Sequence, residues 1–269
     1  MVNSPLYSDG VNGDLDDWIA LNRTSIQGTS GIAPFPPAEL MQNTSGLTRE
    51  DHFASHGCDI LQALRLASPK PLASYADILD FGVGVGRLAR LFKGFQGKYT
   101  GIDVDERHVA WVAENLDHVN AIVTIPRKHF PFVGRRFDGV ISISVFTHMN
   151  EDDQFFYLKE LARITRPGAI LMLTVHGERA LHRAETEPEI FKMLDIPSEK
   201  LRLTHDLFAS KGFDFILQQG HLTTAEYEYG ITFTSRSYVH DRWSEYFDVL
   251  NVVSGAIHDF QDIVVLQAR

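Results

Sequence analysis

The sequence predicts an α/β fold with a doubly wound sheet of seven strands, the last two forming an antiparallel hairpin. Three observations predict it. Apolar strand-like runs alternate with helix-like segments from about residue 78 to residue 175, which is typical of a parallel sheet covered by helices. A glycine-rich turn follows the first run. Two more strand-like runs joined by a short loop end the chain, and this spacing favours a hairpin.

An N-terminal arm and a cap helix are expected over residues 1–66. Residues 1 to about 47 are rich in Gly, Ser, Asn and Pro, and the stretch GIAPFPPAELMQNTSG favours an extended arm rather than a helix. Thr48 then begins a predicted helix, with Asp51 three positions on as in a capping box.

The α/β core is expected over residues 67–177. Its strand-like runs are, in order, DILDFG, KYTGIDV, NAIVTI, FDGVISISVF and AILMLTV. Helices are predicted through Leu88 and Leu91, from Asp105, and from Asn150, which has the residue type of an N-cap.

Beyond the core the alternation stops. Residues 178–234 show no clean βα unit, and we expect them to form an insert that serves as a substrate lid. Residues 235–269 return to the core with a helix at about 235–247 and the hairpin within FDVLNVVSGAIHDFQDIVVLQAR.

Composition limits which binding partners and which cellular compartment we expect. The formal net charge is −10, and no long basic cluster is present, which disfavours nucleic acid and anionic membranes as partners. No apolar run is long enough to span a bilayer. The polar, acidic N-terminus does not resemble a secretory signal, and Cys58 is the single cysteine, so we expect a cytoplasmic protein. The oligomeric state is left open.

The stretch ILDFGVGVGR carries the first functional signal. Gly82, Gly84 and Gly86 let the backbone turn tightly and approach a ligand without an intervening Cβ atom. A dinucleotide fingerprint has the spacing G-x-G-x-x-G, but this turn has G-x-G-x-G followed by Arg87. Asp80, two residues before the first glycine, would repel a polyphosphate. The turn therefore favours a cationic ligand without phosphate.

S-adenosylmethionine is a ligand of this kind, because it carries a sulfonium and an ammonium and no phosphate. Asp103 ends the second predicted strand about twenty residues after the turn. A carboxylate there can accept charge-assisted hydrogen bonds from both ribose hydroxyls.

Four segments resemble the successive motifs of class I S-adenosylmethionine-dependent methyltransferases: ILDFGVGVGR, YTGIDVD, FDGVISISVFTH and LARITRPGAILMLTVHG. The terminal hairpin resembles that family's sixth and seventh strands. The flanks, including PPAELMQNTSG, resemble a bacterial subgroup of generic small-molecule methyltransferases. The resemblance implies a Rossmann-like fold and S-adenosyl-L-methionine as cofactor, with S-adenosyl-L-homocysteine as product.

The resemblance also implies roles for residues at matching positions. The three glycines would line the methionine and ribose part of the cofactor, Asp80 would lie near its amino group, and Asp103 would hold the ribose. Val104 would pack on adenine, and Ser144 and Val145 would border the cofactor. Arg87 is either a partner of the cofactor carboxylate or a surface residue of the following helix. The family's usual polar contact to adenine after strand three has no counterpart in TIPRKHFPF.

Two histidines follow strands at the edge where ligands bind such sheets. They are His148 in SVFTHM and His176 in TVHG. Either could be a general base, and either could instead cap a loop by bonding backbone.

The insert supplies aromatic side chains for an acceptor pocket. Tyr227, Tyr229 and Phe233 in HLTTAEYEYGITF are candidate substrate-binding residues, and packing within the lid is the alternative. No metal site is expected, because no HExxH or Cys/His spacing occurs and ISISVFTH lacks the acidic residues that hold magnesium in catechol-type methyltransferases.

The sequence thus predicts a methyltransferase that acts on an oxygen or nitrogen of a small molecule, a specialised metabolite or a sugar. The transfer would be an in-line displacement without a metal, with a histidine as possible base. The alternatives are a non-catalytic cofactor-binding scaffold of the same fold, a protein methyltransferase and, third, a NAD-dependent oxidoreductase.

Overall fold

Seven strands form one mixed sheet in the computed structural model, which describes residues 12–24, 31–218 and 228–269. The described strands are, in chain order, β1 (Asp77–Phe81), β2 (Lys98–Asp103), β3 (Val119–Val123), β4 (Phe137–Ser142), β5 (Thr165–Val175), β6 (Phe213–Leu217), β7 (Gly230–Thr234), β8 (Asp248–Ile257) and β9 (Gln261–Gln267). The sheet order is β3-β2-β1-β4-β5-β9-β8, and β6 and β7 form a separate antiparallel pair.

The pairing within the sheet confirms the predicted fold class. Strand β1 runs parallel to β2 and β4, and β2 runs parallel to β3. Strand β9 runs antiparallel to both β5 and β8. The last two strands therefore form the expected terminal hairpin.

The helices cover most of the remaining described chain. They are α1 (Asn12–Thr24), α2 (Ala38–Ser45), α3 (Glu50–Ala67), α4 (Glu106–Asn115), α5 (Glu151–Ile164), α6 (Glu178–Thr186), α7 (Pro188–Leu194), α8 (Ser198–Lys211) and α9 (Arg236–Arg242). Helices α4 and α5 begin as predicted, because the Asp105 carboxylate accepts from the amide of Arg107 and the Asn150 side chain accepts from that of Asp153.

The extended arm predicted for GIAPFPPAELMQNTSG is wrong, because α2 lies within it, and α1 precedes that stretch where no helix was predicted. Helix α1 is held by tertiary contacts rather than by helix propensity. Trp18 is 2% exposed, and its indole donates to the carbonyl of Leu91 at 3.0 Å. The capping box of the next helix is also wrong, since α3 begins at Glu50 and Asp51 accepts from the Arg49 guanidinium instead.

The helix predicted after the glycine turn is wrong as well. The chain forms turns and a short 3-10 helix, Ala89–Phe92. Gly86 and Gly94 have positive φ angles of 76° and 86°, and only seven residues lie between them. The amides of Leu91 and Lys93 donate to the carbonyls three residues earlier, those of Leu88 and Arg90. This spacing is that of a 3-10 helix, which is tighter than an α-helix.

The insert is mainly helical, and its buried residues form one cluster that also includes Phe260, between β8 and β9. Helices α6, α7 and α8 precede the β6–β7 pair, and the buried residues of this region include Leu181, Leu201, Ile216, Ile231 and Phe233. The helix predicted at about 235–247 consists of α9 and a 3-10 turn at Trp243–Glu245.

The chain divides into two compact units. The first comprises Met1–Thr124 with Phe137–Ile141, and the second comprises Ile125–Arg136 with Ser142–Arg269. The division predicted from sequence, at residues 66, 177 and 234, stays a prediction. In the described chain, every helix is too short or too polar to cross a bilayer.

Candidate functional site

The glycine turn in the first unit has the tight backbone that its sequence predicts. Gly82, Gly84 and Gly86 have φ angles of 84°, 53° and 76°. At Gly84 a Cβ atom would lie 2.5 Å from Cγ2 of Thr44, so a side chain is excluded by sterics as well as by conformation. Thr44 belongs to α2, and this helix therefore packs directly on the turn.

Asp80 is a buried carboxylate on β1. It is 3% exposed, and its Oδ2 accepts from the Tyr99 hydroxyl at 2.8 Å. Burial raises its pKa to about 7 and the negative charge of Asp103 acts in the same direction, whereas the bond from Tyr99 and the charge of Arg87 oppose the shift. An anion held in this way is stabilised by a further cation.

Asp103 ties the end of β2 to the glycine turn. Its Oδ2 accepts from the amide of Gly84 at 2.8 Å, and its Oδ1 accepts from the amide of Asp105 at 3.0 Å. The structure thus brings together two residues predicted for the same ligand from separate motifs. Val104, the next residue, is 37% exposed.

Two arginines after the turn have different surroundings. Arg90 is 1% exposed and donates to the carbonyls of Pro34 and Ala33, both at 2.6 Å, with its guanidinium 3.7 Å from the centroid of the Phe35 ring. It fixes the segment that leads into α2. Arg87 is partly buried; burial lowers its pKa to about 10, and attraction to Asp80 opposes that shift.

Sequence reasoning missed Tyr99, Thr44 and Arg90. Tyr99 and Asp80 lie on paired strands, but the period of a strand does not tell which side chains meet across it. The contacts of Thr44 and Arg90 depend on the position of α2, and the composition of the arm did not predict this helix.

In the second unit, the loop after β4 is held in a constrained conformation. Ser144 has a φ angle of 59°, which is uncommon for a residue other than glycine. Its amide donates to Thr174 Oγ1 at 2.8 Å, and its Oγ accepts from Gln261 Nε2 at 2.9 Å. Val145 follows and leads into a 3-10 helix, Phe146–His148.

His148 and His176 lie near each other in the second unit, with ring centroids 6.4 Å apart at an interplanar angle of 83°. His148 is partly exposed, and its Nδ1 lies 2.8 Å from the carbonyl oxygen of Gly230. His176 is 3% exposed. Burial, together with the nearby charge of His148, lowers the pKa of His176 to about 3. A hydrogen bond to the Thr232 backbone acts in the opposite direction. Its Nδ1 is buried without a partner among the described residues.

The predicted aromatic residues of the insert have separate environments. The Tyr229 ring stacks on His148 at 4.5 Å with an interplanar angle of 12°. Phe233 is fully buried, and its ring centroid lies 5.9 Å from that of His176. Tyr227 lies outside the described residues. Within the described ranges, no group of three or more His, Cys, Asp or Glu side chains could hold a metal ion.

Comparison with known proteins gives a family match over the core. Residues 79–173 match the model of a methyltransferase domain. This range includes Asp80, the three glycines, Asp103 and His148.

Solved structures share the fold over most of the chain. The PH0226 protein from Pyrococcus horikoshii OT3 is 16% identical with a TM-score of 0.61, over 85% of this chain and 96% of that one. DhpI, solved in complex with SAH, is 13% identical with a TM-score of 0.55, over 94% and 96%. The glycopeptide N-methyltransferase MtfA, complexed with (S)-adenosyl-L-methionine, is 14% identical with a TM-score of 0.51, over 78% and 86%. At these identities the likeness shows the fold.

Proposed function

The chain carries a methyltransferase domain on the fold of the class I S-adenosylmethionine-dependent methyltransferases, and from this premise we propose that it methylates an oxygen or nitrogen of a small molecule. The observation that best supports the proposal is the hydrogen bond from the Gly84 amide to the Asp103 carboxylate, together with the buried carboxylate of Asp80. These two carboxylates suit a cationic nucleoside and would repel a polyphosphate.

We propose that S-adenosyl-L-methionine binds at the glycine turn. Asp80 would take its ammonium, Arg87 its carboxylate, and Asp103 its ribose hydroxyls. Gly82, Gly84 and Gly86 would contact the methionine and ribose part, and Val104 would contact the adenine. When bound, this cofactor supplies an electrophilic methyl group on a sulfonium.

For the acceptor side we propose His148 as the general base. A base needs a pKa near the working pH, and the pKa of about 3 for His176 argues against that residue. His148 Nδ1 lies 2.8 Å from the Gly230 carbonyl; if Nδ1 donates to that oxygen, Nε2 would be the nitrogen that takes the proton of the acceptor. His176 is 3% exposed and Phe233 is fully buried, so among the described candidates Tyr229, which is partly exposed, would form an apolar wall of the acceptor pocket.

Cofactor binding tests the first half of the proposal. Calorimetric titration should show binding of S-adenosyl-L-methionine and S-adenosyl-L-homocysteine and none of NAD. Asp103→Ala should weaken that binding by about 1–3 kcal/mol, because charge-assisted hydrogen bonds to the ribose are lost. Asp117→Ala is the matched control, since that carboxylate is 98% exposed. Unchanged affinity in Asp103→Ala would contradict the assignment of the ribose site.

Product labelling tests the second half. A cell extract incubated with the enzyme and cofactor bearing a deuterated methyl group should yield a labelled small molecule detectable by mass spectrometry. His148→Ala should lower the rate of labelling by about 10²–10⁴-fold with cofactor affinity retained. Cofactor binding without any labelled product would favour a scaffold role, and a labelled protein would favour a protein acceptor.

A further inference from the structure

Strand β7 contacts both edge histidines. The Gly230 carbonyl, at its start, bonds His148 Nδ1. Thr232 donates from Oγ1 to the carbonyl of Met149 at 2.6 Å, and its backbone bonds the His176 ring. Thr234 donates its amide to the carbonyl of His176 at 2.8 Å. A strand outside the seven-stranded sheet therefore holds the two loops that carry the histidines.

Tyr229, the residue before β7, and Gly230, the first residue of β7, fix the His148 ring in two different ways. The Tyr229 ring lies nearly parallel to the imidazole at 4.5 Å, which restricts rotation of the ring. The Gly230 carbonyl is a pure acceptor, so the contact at 2.8 Å requires a proton on Nδ1. Together they set both the plane of the ring and its tautomer.

Gly230 occupies a position that admits no side chain. A Cβ atom there would lie 2.2 Å from the carbonyl oxygen of Ile216 and 2.7 Å from the Phe215 ring. Both neighbours belong to β6, the partner strand of β7. Any larger residue would push the start of β7 away from β6 and move the carbonyl that holds His148.

We propose that Tyr229 and Gly230 are positioning residues that hold His148 as the Nδ1-protonated tautomer and present Nε2 as its basic nitrogen. The catalytic meaning of this arrangement rests on the proposed function, in which His148 is the base. The tautomer itself is a property of the second unit and can be measured without an acceptor. Orientation of a histidine by a hydrogen bond on its other nitrogen is a general device.

Long-range ¹⁵N–¹H NMR of histidine-labelled protein tests the proposal, because it distinguishes the two neutral tautomers. The His148 signals are assigned as those missing in His148→Gln. At alkaline pH, wild-type His148 should show protonated Nδ1 and unprotonated Nε2. Tyr229→Leu should shift the signals toward a mixture of tautomers in exchange, whereas Tyr229→Phe, which keeps the stacked ring, should restore the wild-type pattern.

Controls separate positioning from general disturbance. Tyr246→Leu removes another stacked aromatic ring of the second unit, 6.3 Å from Phe155, and should leave the His148 signals unchanged. Gly230→Ala should lose the Nδ1-protonated pattern. A wild-type His148 protonated mainly on Nε2, or unchanged His148 signals in Tyr229→Leu, would overturn the proposal. Calorimetry with S-adenosyl-L-methionine on the same samples reports separately on the proposed function, since its failure would leave the tautomer result standing.

Discussion

At the scale of single residues, Asp80 is a side chain whose buried environment strongly changes its acid–base chemistry. A carboxylate this buried, with one hydrogen bond from Tyr99, is disfavoured in its charged form. Its pKa of about 7, against a reference of 3.8, means that the free protein holds a proton there over much of the acidic range. A bound ammonium would favour loss of that proton.

The pH dependence of stability follows from this pKa. Between pH about 4 and pH about 7, folded Asp80 keeps a proton that the unfolded chain releases, so the contribution of Asp80 to the free energy of unfolding falls as the pH rises. The slope is at most about 1.4 kcal/mol per pH unit, and the contribution levels off above pH about 7. Urea denaturation of wild type and Asp80→Asn across this range measures it as a difference.

The difference between the two proteins is needed because other groups titrate in the same range. Burial also raises the pKa of Asp262 to about 6, and this residue is present in both proteins. Asp80→Asn should therefore gain stability relative to wild type as the pH rises toward 7. A difference that stays constant with pH would show that Asp80 ionises normally.

At the scale of elements, the contact between α2 and the glycine turn is the feature with the sharpest steric test. Gly84→Ala places a methyl group 2.5 Å from Thr44 Cγ2 at a φ angle of 53°. The expected loss in the free energy of unfolding is about 2–4 kcal/mol, from conformational strain and the clash together. Chemical denaturation measures the loss.

Two variants divide that loss into its parts. Gly46→Ala has a φ angle of 70° with nothing within 4 Å of the added atom, so it should lose only about 1–2 kcal/mol. Thr44→Ser removes the clashing methyl group and should recover about 1 kcal/mol in the Gly84→Ala background. Equal losses in Gly46→Ala and Gly84→Ala would contradict the packing of α2 on the turn.

The same elements show which parts of the fold sequence can predict. The strands β1–β5 and the terminal hairpin were predictable, because apolar runs and turns repeat along the chain. Asp80, Gly84 and Asp103 were predictable as neighbours, because parallel strands end at a common edge. Helices α1 and α2 were not, because a residue such as Trp18 is helical through contacts with distant chain, and local composition carries no trace of them.

The acceptor side was less predictable for a related reason. His148 and His176 were both candidates by position alone, and only their burial separates them. The His176 ring packs against Phe260, 4.8 Å away between ring centroids, and against Phe233 of β7, and β7 belongs to a region without a regular sequence pattern. The contact of Tyr229 with His148 likewise depends on where β7 lies.

At the scale of the whole molecule, the division into two compact units makes it possible to test which unit binds the cofactor. Asp80, the three glycines and Asp103 all belong to the first unit. S-adenosyl-L-methionine at about 100 times its Kd should raise the free energy of unfolding by about 2.7 kcal/mol, and NAD should not. Thermal unfolding followed by tryptophan fluorescence measures the shift.

The tryptophans allow that shift to be assigned. Trp18 and Trp111 lie in the first unit and Trp243 in the second, so Trp243→Phe leaves reporters in the first unit alone. Because ligand stabilises the state that binds it, a transition reported by Trp243→Phe protein should rise with the cofactor. If the units unfold separately, a cofactor shift confined to the transition of Trp243 would contradict a site at the glycine turn, and stabilisation by NAD alone would contradict the choice of cofactor.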